Sequence, residues 1–197
     1  MDRVAKIKVV VFPLSFFPLA NLMIKALENN LGPDPASALT HGLGEWALIF
    51  LLLSLAISPA RRLTGIGKLI RFRRMLGLFA LFYAVLHLFA YLAFMLSWEW
   101  QTLLEDLYKR TYIIIGAFAL SILIALGATS TKKMMKRLGK QWSQLHRLVY
   151  IAAGLAVIHF LWLVKSDYRE PLIYAAVLTV LLIVRLRVVK RLVFLNR

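Results

Sequence analysis

The sequence predicts an all-α integral membrane protein, a bundle of six transmembrane helices with both termini in the cytoplasm. Of its 197 residues, 61% are hydrophobic and the mean hydropathy is +0.75, which is more apolar surface than a soluble chain of this length can bury. Six windows are apolar over close to the roughly 20 residues that a helix needs to cross a bilayer, two of them short. The connections between these windows alternate between basic and acidic character.

The six predicted spans differ in how regular they are. Pro13 and Pro18 are expected to kink or break the first, because proline removes a helix hydrogen bond and clashes with the preceding turn. The second is at the lower limit of length and ends at Pro59, whereas the sixth opens with Pro171, which a first helical turn tolerates. No small-residue cleavage site follows the first apolar run, so we interpret it as a retained helix. The spans cover residues 7–27, 45–60, 75–97, 111–130, 145–164 and 171–188.

The charged residues orient this bundle. Twenty of the 25 basic residues lie on one side of this topology, at the two ends of the chain and in or directly beside the 2–3 and 4–5 connections. All of the nine acidic residues except Asp2 lie on the other side. Under the positive-inside rule this distribution places both termini in the cytoplasm. It also explains the net charge of +16 without nucleic acid, because no continuous basic face forms. Membrane lipids are therefore the expected surroundings.

Three of the four histidines lie inside the predicted spans. His87 is in the third span and His146 and His159 are in the fifth, while His41 lies in the first outer connection. A polar ring at membrane depth is expensive and indicates function, although each ring could instead make a quiet interhelical hydrogen bond. At ~1.5 Å per residue, His87 lies about 18 Å and His159 about 21–24 Å along parallel helices. Two histidines at one level can hold a haem iron from both faces.

A second pair of residues lies near the cytoplasmic ends of the same helices. His146 is about 20 Å from His159 along the fifth helix, and Arg73 has the matching depth on the third. A separation of thirteen residues leaves the two histidines of the fifth helix about 140° apart around the helix axis. That helix must therefore bend, bulge or direct its two rings round opposite flanks. Gly154, which lies between the histidines, is a candidate position for such an irregularity. A zinc site is rejected because these histidines are too far apart and no Asp or Glu lies inside the apolar stretches.

Three blocks of the sequence, taken in order, resemble a known family. They are similar to the haem-binding membrane subunits of the bacterial MsrPQ methionine sulfoxide reductase systems, which belong with the ferric reductase-like transmembrane domains. The similarity covers nearly all of residues 1–197 as one domain. The blocks are "IRFRRMLGLFALFYAVLH", "TSTKKMMKRLGKQWSQLHRLVYIAAGLAVIHFLW" and "PLIYAAVLTVLLIVR".

The resemblance implies specific ligands. In the superfamily, two histidine pairs on the third and fifth helices hold two b-type haems. His87 and His159 match the outer axial pair and His146 matches one inner ligand, whereas Arg73 stands where the remaining histidine is found. A guanidinium has no lone pair to give iron. Arg73 is therefore expected to contact a haem propionate, or to act as a ligand only in an unusual environment.

The resemblance also implies an electron-transfer subunit rather than the catalytic one. Such a subunit lies in the bacterial inner membrane, carries one or two b haems and FMN, and takes electrons from the quinone pool or a cytosolic flavin reductase. It passes them to the periplasmic molybdenum enzyme MsrP. The sequence has no glycine-rich nucleotide motif and no cysteine, so other chains would bind NAD(P)H and reduce the sulfoxide.

Two other functions were compared with this one. The alternative within the same superfamily is a stand-alone ferric or quinone reductase. A proton-relaying transporter is disfavoured, because intramembrane carboxylates and broken inverted repeats are missing. His41 has no assigned role.

Overall fold

The computed structural model describes residues 3–195 and the side chains of residues 6–186. No strand occurs in the described chain, which is helical between short turns. By length and composition, five stretches can cross a membrane, and the helix Arg169–Leu195 adds a sixth segment. The predicted six-helix, all-α membrane architecture is confirmed. The five stretches are Lys6–Leu27, Pro35–Thr64, Gly67–Met95, Thr111–Ala128 and Lys140–Leu163.

The helices are numbered in chain order. Three short non-α turns lie within these stretches: 3₁₀ turns at Gly67–Leu69 and His146–Leu148, and a π turn at Tyr91–Met95. The helices are α1 Arg3–Leu14, α2 Phe17–Leu27, α3 Pro35–Thr64, α4 Ile70–Ala90, α5 Trp100–Lys109, α6 Thr111–Ala128, α7 Lys132–Leu138, α8 Lys140–Leu145, α9 Val149–Leu163 and α10 Arg169–Leu195.

The first span is broken where the prolines predict. Helix α1 ends one residue after Pro13, and α2 begins with Pro18 in its first turn, a position where the missing N–H does no harm. The buried phenol of Tyr83, from α4, lies in the break. Its hydroxyl donates to the carbonyl of Ser15 (2.8 Å) and accepts from the N–H of Leu19 (3.2 Å). One side chain thus satisfies two backbone groups at the break.

The second span is much longer than predicted. The expected helix was residues 45–60 ending at Pro59, but α3 begins at Pro35 and continues through Pro59 to Thr64. The Asp34 side chain caps its start by accepting from the N–H of Ser37 (3.0 Å). Gly65, at φ 70°, ends it in the left-handed conformation. Consequently His41, which was expected in a connection, lies on a helix.

Four helices form the centre of the bundle as two hairpins. Helix α3 packs along α4, and α6 packs along α9; the hairpins meet through α4 against α6 and α3 against α9. The histidine-bearing helices α4 and α9 therefore occupy diagonal corners. Helix α10 covers α3 and α9, and α2 covers α3. Ala80, Ala152 and Ala153 have no exposed surface, and such small side chains allow close helix approach.

The fifth span is irregular, as the angular offset of its two histidines predicts, but not where expected. The 3₁₀ turn His146–Leu148 separates α8 from α9, so the break occurs at the first histidine itself. Gly154, the expected place, lies within the uninterrupted helix α9. A 3₁₀ turn has three rather than 3.6 residues per turn, and this change of winding resets the direction of the side chains that follow.

Candidate functional site

His87 and His159 face each other inside the four-helix bundle. Their ring centroids are 6.2 Å apart and the ring planes are inclined by 81°. Two metal–nitrogen bonds of about 2 Å, with about 1 Å from each nitrogen to its ring centre, separate ring centres by about 6 Å. The spacing therefore suits two imidazoles that bind one metal ion from opposite sides. Paired axial histidines of a haem iron have this arrangement.

Each of these rings is held at the same nitrogen. His87 Nδ1 lies 2.8 Å from the carbonyl oxygen of Thr40, and His159 Nδ1 lies 2.7 Å from that of Tyr112. A carbonyl only accepts, so Nδ1 carries the proton and the neutral ring has its lone pair on Nε2. Metal-binding histidines are fixed in tautomer and orientation by such contacts. The donor set therefore fits a haem iron bound through the two Nε2 atoms.

A polar network extends from His159 towards α5. The Tyr112 ring centroid lies 6.0 Å from that of His159, and Arg110 Nη1 donates to the Tyr112 hydroxyl (3.4 Å). Arg110 Nε also pairs with Asp106 (3.0 Å), whose other carboxylate oxygen accepts from the Tyr91 hydroxyl (2.6 Å). Asp106 is buried. The network ties α5 to the neighbouring ends of the third and fourth spans.

A carboxylate also lies inside the α3 span. Glu45, the first residue of the predicted second span, accepts from the Tyr174 hydroxyl of α10 (2.7 Å). The expectation of no carboxylate inside the apolar stretches is therefore wrong for Pro35–Thr64, which contains Glu45. The hydrogen bond of Glu45 goes to α10 and not to a histidine, so this carboxylate links helices.

His146 lies at the opposite end of the bundle in a different environment. Its ring stacks on Trp142, with centroids 4.0 Å apart and planes inclined by 28°. Its Nε2 is 3.1 Å from Thr129 Oγ1, and Trp142 Nε1 donates to the Thr129 carbonyl (3.0 Å). The nitrogen that is available on His87 and His159 is here already engaged by a hydroxyl.

Arg73 lies in the same region as His146. Its Nη1 donates to Ser58 Oγ (3.4 Å), and its charge acts on His146 and on Arg185. No direct hydrogen bond joins Arg73 to His146 among the described residues. The structure thus brings the first predicted pair into ligating distance, whereas the second pair shares a cationic region without contact.

Sequence reasoning missed the groups that hold the rings. Both are backbone carbonyls, which no residue type reveals, and each belongs to the membrane-crossing stretch before the one that carries the histidine. Within residues 3–195 no cluster of three or more His, Cys, Asp or Glu side chains could hold a metal ion.

Comparison with known proteins defines the class. The family model described as "Ferric reductase like transmembrane component" matches residues 43–157, which is more than half of the chain. The match includes His87 and His146 and ends two residues before His159. Together with the six-helix bundle and its facing histidines, it places the chain among the ferric reductase-like transmembrane proteins.

Individual relatives are more specific. A protein of Rhodospirillum rubrum is 48% identical over 186 residues, covering 94% of this chain and 88% of its own length. One of Xanthomonas oryzae pv. oryzae is 53% identical over 152 residues, covering 77% of this chain and 70% of its own. Both are named "Protein-methionine-sulfoxide reductase heme-binding subunit MsrQ". The chain belongs to the MsrQ family.

Proposed function

We propose that this chain is a membrane b-type cytochrome that binds haem between His87 and His159 and carries electrons across the membrane. The observation that carries the proposal is the pair of histidine rings whose centroids lie 6.2 Å apart. The Nδ1 atom of each ring is hydrogen-bonded to a backbone carbonyl. The names of the relatives support it. A bound haem supplies a one-electron centre, and the protein contributes ligands, their hydrogen bonds and a water-poor setting.

At the other end, His146 and Arg73 are proposed by family resemblance to contact a second cofactor. The planar fork of an arginine suits the carboxylate of a haem propionate or the phosphate of FMN. For His146 to bind iron through Nε2, its contact with Thr129 must be exchanged. The geometry therefore favours one haem at the His87–His159 pair, with any second cofactor at the Arg73 end.

The charges of the connections and the family resemblance support a direction of electron transfer. We place the chain in the bacterial inner membrane with both termini cytoplasmic and the His87–His159 pair nearer the periplasm. Electrons would come from the quinone pool or a cytosolic flavin reductase and go to the periplasmic molybdenum enzyme MsrP, which repairs methionine sulfoxide in periplasmic proteins. The chain has no cysteine, so sulfoxide reduction by thiol chemistry cannot occur on it.

The haem proposal is tested on purified wild-type protein and three variants. The wild type is expected to show a Soret band with sharp reduced α and β bands. The pyridine haemochrome gives the haem content, and fluorescence of released flavin gives the FMN content. His87→Ala and His159→Ala should each lose the haem of this pair, whereas His146→Ala should retain it. His41→Ala is the matched control, because His41 is exposed and follows Thr40 directly. Full haem content in the first two variants would contradict the assignment.

The electron-path proposal is separated from a stand-alone reductase in cells that lack MsrP. Reduction of the haem by the donor is expected to continue while repair of periplasmic methionine sulfoxide is lost. Ferric iron and added quinone should then be reduced no faster than in cells without this chain. Wild-type repair in the absence of MsrP, together with ferric or quinone reduction that depends on this chain, would favour the stand-alone enzyme.

A further inference from the structure

We infer that Gly44 and Gly116 are positioning residues for the His87 and His159 rings; the inference rests on the proposed haem ligation. A Cβ atom built on Gly44 would lie 2.9 Å from His87 Nδ1, and one built on Gly116 would lie 2.8 Å from His159 Nδ1. Real Cβ atoms essentially never approach another heavy atom within 3.0 Å. Each ring therefore occupies space that only glycine leaves open.

The crowded atom is the same one that makes the hydrogen bond. In both helices the glycine follows the residue with the accepting carbonyl by four positions, Thr40 to Gly44 in α3 and Tyr112 to Gly116 in α6. Residues four apart lie on the same helix face. The ring thus lies over the glycine while Nδ1 reaches the carbonyl one turn earlier. A methyl group at the glycine would push the ring away from that carbonyl.

This arrangement occurs twice in the chain. The histidine follows its carbonyl partner by 47 residues in each case, so the α3–α4 and α6–α9 hairpins hold their rings in the same way. The carbonyl residues, Thr40 and Tyr112, have unrelated side chains, as expected when only the backbone is used. Two independent occurrences of one geometry indicate that it serves the histidines.

None of the other glycines in α3, α4, α6 and α9 crowds a histidine. A Cβ at Gly42 would meet the end of Leu22 at 3.0 Å, and one at Gly127 would meet the Leu81 side chain. At Gly77 the nearest atom is Ser54 Oγ at 3.4 Å, and at Gly154 nothing lies within 4 Å. Gly42 shares α3 with Gly44, and Gly127 shares α6 with Gly116. They are therefore matched controls that crowd a flexible leucine instead of a ligand.

The positioning affects the cofactor because the hydrogen bond and the ring plane both tune a bound iron. Loss of partners that orient a metal ligand typically costs about 10–100-fold in metal affinity. The angle between the planes of two imidazole ligands also governs the anisotropy of the electron paramagnetic resonance spectrum of low-spin ferric haem, and the planes of the His87 and His159 rings are inclined by 81° in this structure. A ring that tilts on displacement changes that spectrum, whereas damage elsewhere in the bundle does not.

The experiment compares Gly44→Ala and Gly116→Ala with Gly42→Ala and Gly127→Ala. Three quantities are measured on purified protein: the leading g value of the ferric haem, its midpoint potential, and the rate of haem loss to apomyoglobin. The first two variants should shift the g value and the potential and lose haem about 10-fold faster or more. The two controls should match the wild type. Alanine is a better helix former than glycine, so the loss does not reflect a weaker helix.

The outcomes separate this inference from the proposed function. If Gly44→Ala and Gly116→Ala match the wild type in g value and potential while His87→Ala has lost the haem, the glycine inference is overturned and haem ligation stands. If His87→Ala keeps the haem, ligation itself is overturned. If the variants do not fold, a measurement on the unmodified protein still tests the inference. Electron–nuclear double resonance should detect an exchangeable Nδ1 proton on both axial rings, and its absence also overturns the inference.

Discussion

Tyr83 illustrates how a single side chain can stabilise a broken membrane helix. A backbone group without a hydrogen-bond partner in lipid is expensive, so breaks in a span must be satisfied from neighbouring helices. The phenol of Tyr83 does this for Ser15 and Leu19 simultaneously. It has no exposed surface, so water cannot take its place.

Tyr83→Phe is expected to lower the free energy of unfolding by about 1–3 kcal/mol, because it leaves a buried carbonyl and a buried N–H unpaired while keeping the ring. Reversible unfolding in mixed detergent micelles measures the change. Haem content should not change, since Tyr83 holds α2 and not a histidine. Tyr108→Phe is the control: Tyr108 is 89% exposed, and its loss should matter by less than about 0.5 kcal/mol. Equal stability of the two variants would show that the bridge contributes nothing.

Two neighbouring acidic residues in α5 show why residue type alone does not assign a role. The side chain of Glu105 is 64% exposed, and its ion pair with Lys109 (2.8 Å) holds the pKa of the carboxyl below its usual range. Such exposed pairs are screened by solvent and contribute little. Asp106, one position on, is buried and bonded to both Arg110 and Tyr91. The sequence offers both as surface groups, and only the fold separates them.

Among the helices, α3 shows what hydropathy finds and what it misses. An apolar window predicts the part of a helix that lies in lipid, residues 45–60 in this case, but it says nothing about polar turns that continue the helix. Those ends are fixed by capping groups, and the Asp34–Pro35 start is a signal that the sequence contains. The omission matters functionally. Thr40 and Gly44, which hold and accommodate His87, lie in the missed turns.

The two histidines could be identified from the sequence because polar rings are rare in apolar spans. Counting residues along two parallel helices predicted that His87 and His159 reach the same level, and their ring centroids lie 6.2 Å apart. Their role as haem ligands stays a prediction. Gly44 and Gly116 could not be identified in this way, because glycine is common in membrane helices and nothing in the sequence shows that a particular glycine faces a histidine ring. The shared spacing from carbonyl to glycine to histidine becomes a signal only after one hairpin is known.

For the molecule as a whole, the number of apolar segments that can cross a membrane could be predicted, but the arrangement of those segments could not. Hydropathy does not say which of six apolar helices are neighbours, since every apolar face is equally suited to lipid. Neighbours are chosen by packing, with Ala80, Ala152 and Ala153 fully buried where helices approach. The diagonal placement of α4 and α9, which lets two rings meet in the interior, depends on that packing.

The orientation of the bundle is predicted by its charges alone and can be measured directly. The chain contains no cysteine, so a single introduced thiol is the only target for a maleimide. Leu63 and Tyr108 are 82% and 89% exposed. Leu63 lies at the end of α3 beside Arg61 and Arg62, and Tyr108 lies in α5, which follows the next span. The two positions therefore lie on opposite sides of the membrane.

A membrane-impermeant maleimide added to intact spheroplasts should label Tyr108→Cys and not Leu63→Cys, because the positive-inside rule keeps the arginine-rich end in the cytoplasm. Permeabilised cells should label both, which shows that each thiol is reactive, and the unmodified chain should give no signal. Labelling of Leu63→Cys in intact spheroplasts would show that the bundle has the opposite orientation. The His87–His159 pair would then lie nearer the cytoplasm, and electrons leaving from that pair could not reach a periplasmic acceptor.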